Sequence, residues 1–192
     1  YNVGKHQPLI ISAPHATEKI LVVGQVEDDM SVKLCGSDIK TNLQLLKTVR
    51  ARCPHAYIIY KPHPDVQAGL RTGKISASEM QQYANQVVMD ISMPRCLDAV
   101  DSVHTISSLT GFEALLRGLS VTCYGFPFYA GWVLTHDVAQ GQSAQQITAR
   151  RQRQQPLNLT ELVYCTLIQY PLYHLPNQYG LAQVEAVIDF LY

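Results

Sequence analysis

Three separated stretches of this sequence carry residue types that could do chemistry on a phosphorylated substrate. The first is Gln25-Val26-Glu27-Asp28-Asp29, three adjacent acids that follow an apolar run ending at Gly24. Like charges this close raise at least one carboxyl pKa, so a shared proton or a bound cation is one expectation and a solvated acidic turn is the other. The second is Lys61-Pro62-His63-Pro64-Asp65. Its prolines fix the backbone on both sides of His63, which holds the imidazole beside Lys61, placed to meet a phosphate or donate a proton. The third is Ser107-Ser108-Leu109-Thr110-Gly111-Phe112-Glu113. Here the period changes from strand to helix, and either serine can cap the helix. Unpaired N–H groups and the dipole of a first helical turn favour an anion by about 0.3 to 1 kcal/mol. Glu113, one turn in, offers an acceptor for a ribose hydroxyl. The plainer alternative is an ordinary Ser/Thr cap ahead of a core helix.

The elements that must position these stretches alternate in type. Lys19 to Val23 reads as a strand buried on both faces, so the acids sit at its carboxyl end, where ligands gather in open α/β sheets. Ile39, Leu43, Leu46 and Val49 predict an amphipathic helix over Ser37 to Arg52, capped by Ser37 or Asp38 and stopped by Cys53-Pro54. Ala56 to Tyr60 is a second strand running into the His63 stretch. Gly69 to Gly73 is a turn, Ser76 to Tyr83 a weak helix, Gln86 to Met89 a third strand, and Pro94 to Ala99 another helix. Ser102 to Ile106 and Ser120 to Tyr124 complete five strands. Strand, helix and strand in turn over more than a hundred residues argue for a doubly wound parallel sheet. The aromatic loop Gly125 to Trp132 comes next, suited to covering a base or sugar ring or to packing under a surface segment. Arg150, Arg151 and Arg153 read as a solvated helix face, with anion or lipid-headgroup contact as the minor alternative. Two helices close the chain: Leu159 to Ile168, capped near Asn158, and Leu181 to Leu191, with Val184, Val187, Ile188 and Leu191 on its inward side.

Composition narrows the function classes. The 192 residues suffice for one good core, expected as an N-terminal linker over 1–18 and one Rossmann-like domain with C-terminal helices over 19–192. Hydrophobic residues make up 47% and charged ones 16%, and no apolar run approaches the roughly 20 residues that span a bilayer. A formal net charge of zero gives no overall field for nucleic acid. Cys35, Cys53, Cys96, Cys123 and Cys165 are odd in number and widely spaced, which fits a reduced compartment better than a disulfide framework or a zinc site. No metal-ligand spacing, P-loop, GxGxxG fingerprint or GxSxG elbow occurs. The chain starts at Tyr1 in a loop-like stretch, and a piece of something longer is expected.

Four stretches, Gly24 to Asp29, Tyr60 to Asp65, Ser107 to Ala114 and Cys123 to Trp132, together resemble the capsule polysaccharide export and biosynthesis family of Gram-negative bacteria, which includes capsular β-Kdo transferases. The likeness runs from about Lys19 to Tyr173. It implies the carboxyl-terminal, sugar-donor-binding half of a GT-B glycosyltransferase that takes Kdo from CMP-Kdo, with no other cofactor and no metal. The family's Gln-x-Glu-Asp motif falls on Gln25, Glu27 and Asp28. The resemblance implies Asp28 as the catalytic carboxylate, the nucleophile of a retaining double displacement, with Glu27 and Gln25 in support. It also implies that His63, Ser107 and Ser108 hold the nucleotide phosphate, His63 acting on the departing CMP. Lys61, Thr110 and Glu113 complete the expected CMP-sugar contacts. A lipid-linked glycan would be the acceptor, at the cytoplasmic face of the inner membrane, with the acceptor-binding half ahead of Tyr1 and the capsule export machinery as a candidate partner. The isolated chain is then expected to transfer little. The departure from pattern is Val133, where the family has glycine in Gly-Trp-Gly-Leu-Thr; valine resists positive φ, which predicts a reshaped loop. A GT-B half using another nucleotide, and a non-catalytic capsule-assembly module, are the other readings.

Overall fold

The computed structural model describes residues 7–12, 17–35, 37–140, 142–152 and 154–191. Of the expected linker, 1–6 and 13–16, with His6 and His15, lie outside the described residues, as does Arg153; residues 7–12 and 17–18 hold no helix or strand. Chain contacts divide the molecule into two units, 1–154 and 155–192.

The first unit is built on six parallel strands, β1 (Lys19–Val23), β2 (Tyr57–Lys61), β3 (Gln86–Val87), β4 (Ser102–Thr105), β5 (Ser120–Cys123) and β6 (His136–Asp137). Their order is β3-β2-β1-β4-β5-β6, that of a Rossmann-like doubly wound sheet. The apolar run of β1 is continuous because both of its faces are covered: Ile20, Leu21 and Val22 are fully buried, paired to Ile58, Ile59 and Tyr60 of β2. On the other flank Leu21 sits beside Val103 of β4. The short sixth strand, which carries no apolar pattern of its own, pairs His136 and Asp137 with Thr122 and Cys123.

Short helices α1 (Met30–Lys33), α3 (Pro64–Gln67) and α5 (Met93–Leu97) link the strands, with longer ones between them. Leu45, Leu46 and Val49 of α2 (Asn42–Arg52) and Met80 of α4 (Ala77–Tyr83) pack on the sheet face that carries Ile20, Val22, Ile58 and Tyr60. Each fully buried aliphatic side chain here stabilises the fold by about 1.5–3 kcal/mol. The helix α2 begins later than expected. Thr41 and Gln44 form a capping box, while the Ser37 hydroxyl accepts from the Ile39 amide in a local turn, so Ser37 and Asp38 precede the helix instead of capping it. Ser76 caps α4 as expected.

Helix α6 (Leu109–Leu116), capped by Ser108, packs on β4 and β5. Glycine in a helix costs about 1 kcal/mol relative to alanine, so Gly111 needs a reason. The buried Tyr129 ring lies where a Cβ on Gly111 would go, and its hydroxyl donates to the Ser108 carbonyl.

Beyond β5 the structure departs from expectation twice. Val133 does adopt positive φ, at 69°, despite its β-branched side chain. It is 83% exposed, which leaves the β-branched side chain room if not backbone ease. Arg151, at the end of α7 (Gln142–Arg151), is no solvated charge: its guanidinium donates to the carbonyls of Pro127 and Ala130 and lies 5.3 Å from the Trp132 ring centre.

In the second unit α8 (Leu159–Val163) starts at an Asn158–Glu161 capping box, but the chain winds as a π-helix from Tyr164 to Gln169. The wider turn breaks the expected stripe, leaving Leu162 buried and Leu167 41% exposed. The last helix, α9 (Val184–Leu191), starts three residues later than expected because the Ala182 amide donates to Tyr173, a bridge that holds Leu181 and Ala182 extended. Its inward side is not buried: Ile188 is 50% and Leu191 69% exposed. Among the described residues no helix is long and apolar enough to cross a membrane.

Thermal unfolding should report both backbone findings. Val133→Gly relieves the left-handed strain and should raise stability by about 0.5–1 kcal/mol. Gly111→Ala forces its methyl into the Tyr129 ring and should lower it by about 1–3 kcal/mol.

Candidate functional site

A cavity of about 560 Å³ opens at the carboxyl edge of the sheet. It sits between the ends of β1 and β4, the point at which the strand order reverses, where a doubly wound sheet leaves a crevice. The loop after β1 contributes Gln25 and Asp29, the end of β2 contributes Lys61 and His63, and the start of α6 contributes Ser107, Ser108, Thr110 and Glu113, with Phe128 and Tyr129 closing one wall. The three stretches singled out by residue type therefore meet. Glycine at position 24 allows this approach, because a Cβ there would fall 2.7 Å from the Tyr60 hydroxyl and 3.0 Å from the Pro62 Cα.

His63 caps the short helix α3: its Nδ1 accepts from the Asp65 amide at 3.2 Å. A neutral imidazole whose Nδ1 accepts must carry its proton on Nε2, so it remains a hydrogen-bond donor without being charged. The Lys61 side chain is buried, and burial pulls its ammonium below the ordinary value. It donates to the carbonyls of Ile91 (2.6 Å) and Met89 (3.4 Å), so it contributes positive potential while part of its hydrogen-bonding capacity is committed.

The helix start differs from expectation in one respect. The amides of Ser107, Ser108, Thr110 and Gly111 are already bonded, to Gln25 Oε1, Thr105 Oγ1, Ser108 Oγ and the Ser108 carbonyl. What this turn presents, beside the Leu109 amide, is hydroxyl groups. Ser107 Oγ accepts from Gln25 Nε2 at 3.1 Å, and Thr110 Oγ1 accepts from Ser108 Oγ at 3.2 Å. Each of these acceptor oxygens keeps its own proton.

The acids separate. Glu27 accepts from the Asn42 amide at 2.7 Å, at the start of α2. Asp28 is exposed on the rim and does not line the cavity; Asp29 does, its carboxylate accepting from Ser31. Contrary to the expectation from like charges, Asp28 is held below the ordinary carboxylate value, by the Thr72 hydroxyl (3.0 Å) and then by the Arg71 guanidinium (3.2 Å). Among the described residues no group of three or more His, Cys, Asp or Glu side chains is placed to hold a metal ion.

Sequence reasoning missed Asn42, which is 1% exposed. Its side chain accepts from the Gln25 amide and donates to the Gln25 and Gly73 carbonyls. It also missed Arg71 and Thr72, assigned only to a turn. The signal for Asn42 was a polar residue just inside a helix whose apolar stripe was otherwise regular; Arg71 and Thr72 left none, since only the folded turn brings them to Asp28.

Comparison with known proteins places the chain in a family. A family model described as capsule polysaccharide biosynthesis protein matches residues 6–173. The capsule polysaccharide modification protein LipA of Neisseria meningitidis serogroup A is 48% identical over 193 residues, covering all of this chain and 26% of LipA. Among solved structures, the β-Kdo 2,7 transferase of Thermosulfurimonas dismutans KpsC is 38% identical with a TM-score of 0.78, over 93% of this chain and 54% of that one. The β-Kdo 2,4 transferase of the same protein is 30% identical with a TM-score of 0.75, over 97% and 56%. The chain thus spans about a quarter of LipA and just over half of each transferase structure. With most of its length matched by one family model, and that match including all three cavity-forming stretches, the chain belongs to the capsule polysaccharide biosynthesis protein family.

Proposed function

We propose that this chain is the sugar-donor-binding half of a GT-B glycosyltransferase that takes Kdo from CMP-Kdo and passes it to a lipid-linked glycan during capsule synthesis. The observation that carries the reading is the convergence of His63, Ser107 and Thr110 on one cavity, in a chain similar over 93% of its length to a Kdo transferase. The cavity volume suits a nucleotide sugar. Phe128, 41% exposed on the wall, offers a ring face to a base, and Glu113 an acceptor to a ribose hydroxyl.

In the proposed retaining reaction Asp28 attacks the anomeric carbon as the bond to CMP breaks, and the leaving electron pair goes to a phosphate oxygen. His63 Nε2–H and the Ser107 hydroxyl donate to that phosphate, stabilising charge where it develops. The acceptor hydroxyl then displaces Asp28, its proton passing to solvent at the exposed rim, and the carboxylate is restored. A carboxylate held ionised suits both halves of this cycle. Gln25 and Glu27 support the loop that carries Asp28, and Lys61 adds positive potential behind the phosphate. No cofactor or metal enters this scheme. The acceptor-binding half belongs to the rest of a longer protein, working peripherally at the cytoplasmic face of the inner membrane, where capsule export components are natural neighbours.

Titration of the full-length protein with CMP and with UDP tests the sugar-donor class. Tighter binding of CMP is expected, and preference for UDP would overturn it. Asp28→Asn should cut glycan transfer by about a thousandfold or more, whereas Asp29→Asn should cost less than tenfold. The reverse ranking would move the nucleophile to Asp29.

The Thr72 hydroxyl favours the ionised form of Asp28, so its removal must raise that pKa. In Thr72→Val the acid limb of the pH–rate profile should therefore move to higher pH. A limb that stays in place would separate Asp28 from the ionisation that controls rate.

A further inference from the structure

Gln25 is buried, at 8% exposure, and its carboxamide meets three groups at the end of β4 and in the loop after it. Its Oε1 accepts from the Ser107 amide at 2.9 Å and from the Thr105 hydroxyl at 3.1 Å, and its Nε2 donates to Ser107 Oγ at 3.1 Å. The orientation of the carboxamide follows from chemistry. A backbone amide can only donate, so the atom facing Ser107 N must be oxygen and the atom facing Ser107 Oγ must be nitrogen. Ser107 is thereby gripped at both its amide and its hydroxyl oxygen.

The consequence is a direction for one proton. With a lone pair of Ser107 Oγ engaged by Gln25, the Ser107 hydroxyl hydrogen cannot turn toward Gln25. Among the described residues it has no acceptor, and Ser107 lines the cavity. Because the amides of Ser107, Ser108, Thr110 and Gly111 are spent, that hydrogen matters more than it would at an open helix end.

We infer that Gln25 is a positioning residue: it fixes the Ser107 hydroxyl with its proton toward the cavity, setting Ser107 as a donor to the phosphate of a nucleotide. This rests on the reading that the cavity takes a nucleotide phosphate. It assigns Gln25 an action through Ser107, not a contact with substrate.

The test is Gln25→Glu, which keeps the shape and the Oε1 acceptor but replaces the Nε2 donor. When ionised, the new carboxylate accepts the Ser107 proton and draws it from the cavity; when protonated, its O–H donates to Ser107 Oγ as the amide did. The titratable groups around position 25 are Glu27 and Asp29 on its own loop, Lys61 and His63 from β2 and the turn after it, and Glu113 from α6. They are shared with the wild type, so the quantity to read is the ratio of CMP dissociation constants, variant over wild type, for the full-length protein by calorimetry.

That ratio should be about tenfold or more at pH 8 and fall toward one as pH drops through the carboxyl pKa. In a Ser107→Ala background the penalty and most of its pH dependence should vanish. An undiminished pH-dependent penalty in that background means simple charge repulsion and overturns the inference. Should the Glu variant fail to fold by thermal melt, Gln25→Met replaces it: a loss of about threefold to tenfold that disappears with Ser107→Ala supports the inference, and an additive loss overturns it. UMP is run beside CMP because it carries the same phosphate. Binding of UMP alone would remove the CMP reading while leaving the Gln25–Ser107 coupling measurable, and binding of neither removes both.

Discussion

The arrangement of the cavity depends on one side chain that does not enter it. Asn42 bonds both the amide and the carbonyl of Gln25, as a neighbouring strand would, and extends the order of β1 two residues beyond its last ladder pair. The same side chain donates to the Gly73 carbonyl, and the Asn42 backbone amide donates to the Glu27 carboxylate. A helix start, a strand end and a distant turn are thus tied at one buried point. An unmet polar group at such a point costs about 1–3 kcal/mol, which makes all four bonds obligatory together.

From that point the polar order spreads outward. Gln25 grips Ser107, Thr105 links Gln25 to the Ser108 amide, and Ser108 orients Thr110. The rim carries a second group, in which the turn holding Arg71 and Thr72 meets Asp28. Glu27 and Asp28, adjacent in the chain, therefore do different work. One carboxylate is spent on a helix start and the other stays ionised in solvent. Their separation explains why adjacency of like charges raised no pKa at Asp28: its partners are a hydroxyl and a guanidinium, and both favour the anion.

Much of this was legible in the sequence, for physical reasons that differ by element. The strands β1 and β2 announced themselves because burial on both faces demands an uninterrupted β-branched run, and the carboxyl-edge rule then placed three polar stretches at one rim. The sixth strand did not, because His136 and Asp137 are held by pairing to β5 and have no side-chain pattern. The start of α2 was misjudged because Ser37 satisfies a local turn as readily as a helix. Arg151 misled because charge alone does not show whether carbonyls will fold around it. The inward stripe of α9 failed because periodicity records that a face is apolar, and not that its own unit covers it.

The Arg151 contact has a consequence for how the wall of the cavity behaves. The loop that presents Phe128 and Tyr129 is fastened from behind: its carbonyls converge on one guanidinium, the Trp132 indole donates back to the Phe128 carbonyl at 2.6 Å, and Asp137 takes the Gly131 amide. Such a segment resembles a stiff panel more than a flap. Whatever enters the cavity therefore meets a wall whose shape is set before encounter.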